Sequence, residues 1–464
     1  MKPLWWRAIW RTTWSGAPKI LMWRDALVNQ ARTTGEKVPL TDVHRLGGPG
    51  RVRWTICAML FAATSINYMD RQVIGLLKPT LEEAIGLTEV NYGYIVAMFQ
   101  VAYAAGLVGA GRLVDRLGNR IGYSLFMSVW SLAAMAHALA RSALGFGIAR
   151  LFLGLGEAGN FPAAIKTVAD WFPQSERSLA TGIFNSGANV GAIVAQAIIP
   201  WVTLCFGWRA AFVTTGLIGL PWVAWWFKNY RTPSEYPKLA TSELRHIYSG
   251  EVGAKNGRDI PWFKLLSYRQ TWAFSVAKLL TDPIWWFYLF WLPSYFDSHF
   301  HLGLPHLGLP LIVVYNVSVV GSIGGGWLPA LFRNLQSSVA KARMSAMIVC
   351  ACLVLPIFMA GRVNSEWAAI ALISLAAAAH QGWSANLFTT ASDMFPRSAV
   401  GAVVGLGGMA GSVGGVLFSV SAGTILQLTH SYNTLFGISA GAYLISIAIL
   451  HFLAPGLKKV NVST

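Results

Sequence analysis

Apolar runs of about 20 residues recur along nearly the whole chain, and few folds accommodate that pattern. A helix of this length crosses the hydrocarbon core of a bilayer, and near-continuous apolar character argues against barrel strands, which would alternate. The runs are sufficient for about twelve spanning helices. Composition agrees. The 464 residues are 55% hydrophobic and 12% charged, roughly half the charged share of a soluble protein, and mean hydropathy is +0.49.

The expected spans cover about residues 54–77, 92–114, 121–140, 144–169, 178–200 and 209–227, then 272–295, 308–332, 342–360, 367–391, 399–426 and 435–453. Between the two sets lies the long polar stretch 228–269, interrupted by Pro233, Pro237, Gly250, Gly253 and Gly257 and carrying a short surface helix near 242–248. The expected organisation is a basic tail (1–50), a six-helix bundle (51–228), a linker (229–270), a second six-helix bundle (271–455) and a short tail (456–464).

The net charge of +17 sits in alternate connections. Lys and Arg gather before Trp54 and in 112–120, 228–269, 333–343 and 458–459, whereas 297–306 and 427–433 have none. This positive-inside pattern places both termini and the linker in the cytoplasm of a multi-pass inner-membrane protein, and it explains the charge without a nucleic-acid partner. Cys57, Cys205, Cys350 and Cys352 read as packing residues without metal-ligand spacing. In the tail, Trp5, Trp6, Trp10 and Trp14 interleave with Arg7 and Arg11 and leave no uninterrupted apolar core for a cleaved signal. The tail either lies on the inner membrane surface or precedes the true start.

An internal repeat supports two halves. Asp170-Trp-Phe-Pro173 recurs as Asp393-Met-Phe-Pro396, and the same offset of 223 superposes Gly182 on Gly405 and Gly191 on Gly414. The offset sets Glu157 opposite His380, Arg150 opposite Ile373 and Asp70 opposite Pro293. Charged chemistry is therefore expected in the first half, with His380, Gln381, Trp383, Ser384 and Asn386 at the corresponding depth of the second.

Charges inside apolar runs mark the candidate site, because each costs at least about 2.5 kcal/mol at the bilayer centre. In Arg150-Leu-Phe-Leu-Gly-Leu-Gly-Glu157 the two charges share one helix face, about 10.5 Å apart along the axis. They either line a polar pathway or tie helices together; Gly154 and Gly156 are read as open space beside them, which favours the pathway. In Ile66-Asn-Tyr-Met-Asp70-Arg71 the acid and the base point about 100° apart.

The turn Gly111-Arg-Leu-Val-Asp115-Arg116-Leu-Gly118-Asn-Arg120 resembles the loop signature of the major facilitator superfamily. Resemblance implies that Asp115, Arg116 and Arg120 gate the carrier by latching its halves in the outward-facing state. The Asp70-Arg71 and Arg150…Glu157 stretches look like the anion:cation symporter family within it. Lys278-Leu-Leu-Thr-Asp282-Pro-Ile-Trp285-Trp286 and His380-Gln-Gly-Trp383-Ser-Ala-Asn386 are most similar to its hexuronate transporters.

The likeness implies an all-α fold of twelve transmembrane helices in two pseudo-symmetric bundles, importing a sugar-acid anion with protons; an aldonate, aldarate or aromatic acid is the alternative cargo. It assigns Arg71 and Arg150 to the substrate carboxylate, Asp70 and Glu157 to proton coupling, and Tyr68 and Tyr103 to the wall. A hexuronate also needs hydroxyl partners and an aromatic plate. Asn189, His380, Gln381 and Asn386 are candidates for the first role and Trp383 for the second. His380 could instead be a core histidine, and Lys278 and Asp282 could simply pair. A monomer is expected, with no cofactor beyond the proton gradient and no metal. An embedded enzyme would need a His-Glu-x-x-His cluster or a Gly-x-Ser-x-Gly elbow, and neither is expected. A sensor would need a soluble domain, for which the linker is too short.

Overall fold

The computed structural model describes residues 51–173, 176–237, 239–248, 262–333 and 338–460. The tail 1–50 and linker glycines 250, 253 and 257 lie outside the described residues. Helix α1 spans Val52–Leu76, α2 Lys78–Ile85, α3 Glu89–Ala136, α4 Ala143–Glu157, α5 Asn160–Trp171, α6 Arg177–Phe206 and α7 Trp208–Asn229. Short helices α8 (Thr241–Ile247) and α9 (Trp262–Leu265) follow. The second half is α10 (Arg269–Phe300), α11 (Gly308–Arg333), α12 (Val339–Val354), α13 (Glu366–Met394), α14 (Arg397–Thr429) and α15 (Asn433–Leu453). No strand occurs among the described residues.

Twelve crossings result, with one departure from the expected spans. Within α3 the second and third spans are two helices that meet at Gly118, where the backbone leaves helical angles with φ 75° and ψ 156°; that left-handed backbone favours glycine. The fourth span is broken into α4 and α5 at Ala158 and Gly159, immediately after Glu157. A side chain at Gly159 would collide with the Phe126 ring. Elsewhere the sequence marks its own helix starts: Thr88, Ser142, Ser338 and Ser365 each accept a hydrogen bond from the backbone N–H three residues on. Among the described residues seven helical stretches are long and apolar enough to cross a membrane by length and composition. The others include α1, α4, α10 and α13, which carry the buried polar residues described below.

The connections at Gly118 and after α5, α7 and α11 lie on the face that carries the basic residues. On this face Glu176 accepts from Arg53 Nε at 2.9 Å and pairs with His246 Nε2 at 2.8 Å. Burial works against its charge, yet these partners hold the Glu176 carboxyl below the ordinary carboxylate range.

On the opposite face the two bundles close on each other through bare backbone. A Cβ at Gly93 of α3 would sit 2.6 Å from Ser419 O and 3.2 Å from Gly423 Cα of α14. At Gly75 of α1 it would sit 2.9 Å from Leu289 O of α10, and at Gly308 of α11 2.9 Å from Gln196 O of α6. Polar contacts reinforce the seal. Tyr92 donates to Phe290 O at 2.7 Å, and the fully buried Lys78 donates to Ser294 Oγ at 2.8 Å while paired with Glu82 and Glu89 at 2.7 and 2.6 Å.

Toward the basic face the bundles part. Around Gly401, Gly405 and Gly408 on one face of α14, and Gly109 of α3, a Cβ would meet nothing within 4 Å. A cavity of about 590 Å³ opens between Arg177 and Thr181 of α6 and Phe388, Thr389 and Ser392 of α13. The structure is thus closed on one face and open on the basic one. It follows that Gly93→Val, which pushes α3 off α14, should hold the closed face ajar. With the native cysteines replaced by serine, Ser294→Cys should react with an impermeant maleimide several-fold faster in the Gly93→Val background; an unchanged rate would mean that the seal does not depend on this approach.

Candidate functional site

Beneath the seal, α1 and α4 bring their charges together. The Arg71 Nε lies 2.5 Å from Glu157 Oε2, with both side chains buried. Arg150 Nη2 donates to Arg71 O at 3.4 Å. The seven-residue spacing read from the sequence therefore delivers both α4 charges to the same neighbour. Burying such a pair is costly, and leaving either partner alone costs about 3–5 kcal/mol.

Hydrogen-bonding capacity is left over. Among the described residues Arg71 Nη2 and Arg150 Nε and Nη1 are buried without a partner, and Asn67 lies beside Glu157. Asp70, about a quarter-turn away, lies beside Thr215 of α7. The cluster holds spare donors sized for a planar anion and carboxylates for protons.

Gly154 and Gly156 do not leave open space beside these charges, contrary to the sequence reading. A Cβ at Gly154 would strike Phe99 O and the Tyr103 amide of α3, and one at Gly156 would meet the Trp130 backbone at 2.6 Å. Their role is close helix packing, which seats Arg150 and Glu157 against α1 and α3.

An aromatic ring surrounds the Arg71 guanidinium. Its Cζ is 4.8 Å from the ring centroids of Tyr68 and Tyr103, 5.4 Å from Phe99 and 5.5 Å from Trp286. Three of these come from the first bundle and Trp286 from α10 of the second. The expected wall residues Tyr68 and Tyr103 are thus beside Arg71, each half-buried. Asn189 is half-buried on α6, on the helical stripe that also carries Gln196.

The second-bundle candidates divide. Gln381 is half-buried, whereas the others make polar contacts inside their own bundle. His380 Nδ1 meets Tyr443 OH at 2.6 Å, and its ring stacks on Trp285 at 5.4 Å. Trp383 is fully buried and donates to Thr281 Oγ1 at 3.2 Å. Asn386 Nδ2 donates to Gly325 O and Gly382 O at 2.7 and 2.8 Å. Lys278 and Asp282 pair at 2.8 Å and pack against Gly407 and Gly411 of α14. Gly437-Ile-Ser-Ala-Gly441 does spell the elbow pattern, but Ser439 is buried within α15 and donates to Leu435 O at 2.8 Å. No strand presents it as a nucleophile.

At the basic face, Asp115 pairs with Lys166 of α5 at 2.6 Å, Arg116 is exposed, and Arg120 donates to Phe227 O at 2.8 Å over the Phe227 ring. All these partners belong to the first bundle, as a parted interface requires. The repeated Asp-x-Phe-Pro motifs hold matching corners: Asp170 accepts from Asn119 and Asp393 from Arg343, at 3.3 and 2.5 Å.

A family model described as Major Facilitator Superfamily matches residues 60–419. A hexuronate transporter of Escherichia coli (strain K12) is 29% identical over 393 residues, covering 84% of this chain and 91% of the relative. A galacturonate transporter of Dickeya chrysanthemi is 30% identical over 330 residues, 70% of this chain and 96% of the relative. The solved D-xylose-proton symporter superposes with a TM-score of 0.71 at 14% identity, over 88% of this chain and 99% of that one.

Proposed function

Because the chain belongs to the Major Facilitator Superfamily, and so is a multi-pass membrane transporter rather than an enzyme, we propose that it imports a sugar-acid anion together with protons. The observation that carries this reading is the buried Arg71–Glu157 pair, with Arg150 beside it and spare donors on both arginines. An incoming carboxylate can take the bidentate contacts that Glu157 leaves unused and then compete with Glu157 for Arg71. The displaced glutamate, buried without its counter-charge, must then be neutralised by a proton. Anion and proton thus favour each other's binding. Asp70 is a second acid of the same kind.

Arg71 and Arg150 bind the carboxylate, with Tyr68 and Tyr103 as wall, and Asn189 and Gln381 are left to reach hydroxyls. The relatives' names favour a hexuronate such as galacturonate or glucuronate. The basic face is the cytoplasmic one by its charge, which makes the structure inward-open, in the inner membrane, with cytoplasmic termini. The carrier works as a monomer and needs no cofactor beyond the proton gradient. Uptake of a panel of radiolabelled acids into cells expressing this protein tests the cargo. Galacturonate or glucuronate should enter and be outcompeted by each other, while neutral galactose should not compete; preferential uptake of an aldonate, an aldarate or an aromatic acid would shift the cargo, and uptake of none would end the proposal.

A further inference from the structure

Trp383, the aromatic plate expected from the sequence, is buried and donates to Thr281, and another tryptophan stands at the charged cluster. Trp286 of α10 is half-buried and faces Arg71 at 5.5 Å. Its ring centroid lies 6.0 Å from that of Phe99, 6.4 Å from Tyr103 and 5.8 Å from Phe290. Among the described residues it is the partly buried side chain packed against both apolar cores, the one within the first bundle and the one that runs through the second and across the seal.

Resting on the reading of the site as a sugar-acid carrier, we infer that Trp286 determines specificity for cyclic over linear acids, as the plate for the apolar face of a sugar ring whose carboxylate is held on Arg71. The geometry supports both halves of this statement. The Arg71 guanidinium lies over the Trp286 indole, so an anion contact and a flat apolar contact stand side by side. A pyranose presents a rigid face of axial C–H groups to such a plate, whereas a linear acid of equal length must give up torsional freedom to lie flat. Trp286 also belongs to the second bundle while Arg71 belongs to the first, so a ring-form cargo bridges the two and favours their approach.

The test compares two acids with one carboxylate each, the cyclic D-galacturonate and the linear D-galactonate, as inhibitors of labelled galacturonate uptake in proteoliposomes. Trp286→Ala should raise the half-inhibiting concentration of galacturonate about tenfold and that of galactonate by less than about twofold. Trp286→Phe, which keeps a packed ring, should recover most of the loss and guards against misfolding of the alanine variant. An equal rise for both acids would overturn the inference, as would lost maximal rate with unchanged half-inhibiting concentrations. A wild-type protein that imports galactonate or another linear sugar acid and not galacturonate would also overturn it, yet leave the sugar-acid reading intact; a wild-type protein that imports no acid of the panel would fail that reading itself.

Discussion

Uptake by the Arg71→Lys protein should fall at least about 100-fold, although the charge is kept. A lysine ammonium is a point donor without the planar fork that grips a carboxylate at two oxygens, and its strong hydration opposes burial in an aromatic ring. Removing one partner of a buried charged contact typically costs about 2–5 kcal/mol, which spans this loss. Arg71→Gln should be as inactive, but it also strands Glu157 and risks the fold. The informative control is therefore Arg71→Gln with Glu157→Gln. Two amides of matched shape restore a neutral, hydrogen-bonded pair, so the double variant should keep wild-type detergent stability while transporting nothing. Wild-type uptake in Arg71→Lys would remove Arg71 from the binding site.

Glu157→Gln should separate exchange from accumulation. The amide mimics a permanently protonated glutamate and leaves Arg71 free for the cargo. Bound anion can still cross in both directions, and counterflow of labelled for unlabelled acid should persist within about threefold of wild type. What the variant lacks is a site that must gain a proton when the anion arrives. With one proton per monovalent acid, one pH unit is worth about 1.36 kcal/mol and supports a limiting accumulation of about tenfold. The variant should stay near an even distribution under the same pH difference. Accumulation by Glu157→Gln would pass the coupling role to Asp70, the other buried acid of the cluster.

Much of this architecture was legible because a bilayer leaves a polypeptide few options. Spans and the repeat could be read directly, since apolar length and duplicated Asp-x-Phe-Pro corners each have one physical meaning. The break after Glu157 was not legible, because a glycine permits a break without requiring one. The same ambiguity misled at Gly154 and Gly156: a missing side chain reads equally as open space or as a neighbour's backbone, and here Phe99, Tyr103 and Trp130 fill it.

Periodicity placed Arg150 and Glu157 on one face, but which helix that face meets depends on packing; Arg71 entered through resemblance. In the second bundle, sequence identified polar residues at the right depth without their facing. Trp383 and Asn386 turn toward their own bundle, while Trp286, one residue beyond a tryptophan that stacks on His380, turns to the charges. Adjacent positions on a helix face about 100° apart, and only the neighbours decide which of them meets the cavity. Lys78 gave no usable signal, because its partners on α3 and α10 come together only when the seal forms.

The most direct measurement follows the proton itself. Purified protein in liposomes loaded with a pH-sensitive dye, without an imposed pH difference, is given an inward gradient of galacturonate. Entry of the anion should carry protons with it and acidify the lumen, neutral galactose should produce no change, and Glu157→Gln should admit labelled acid without acidification. Entry of labelled acid into wild-type liposomes at constant luminal pH would contradict coupled import.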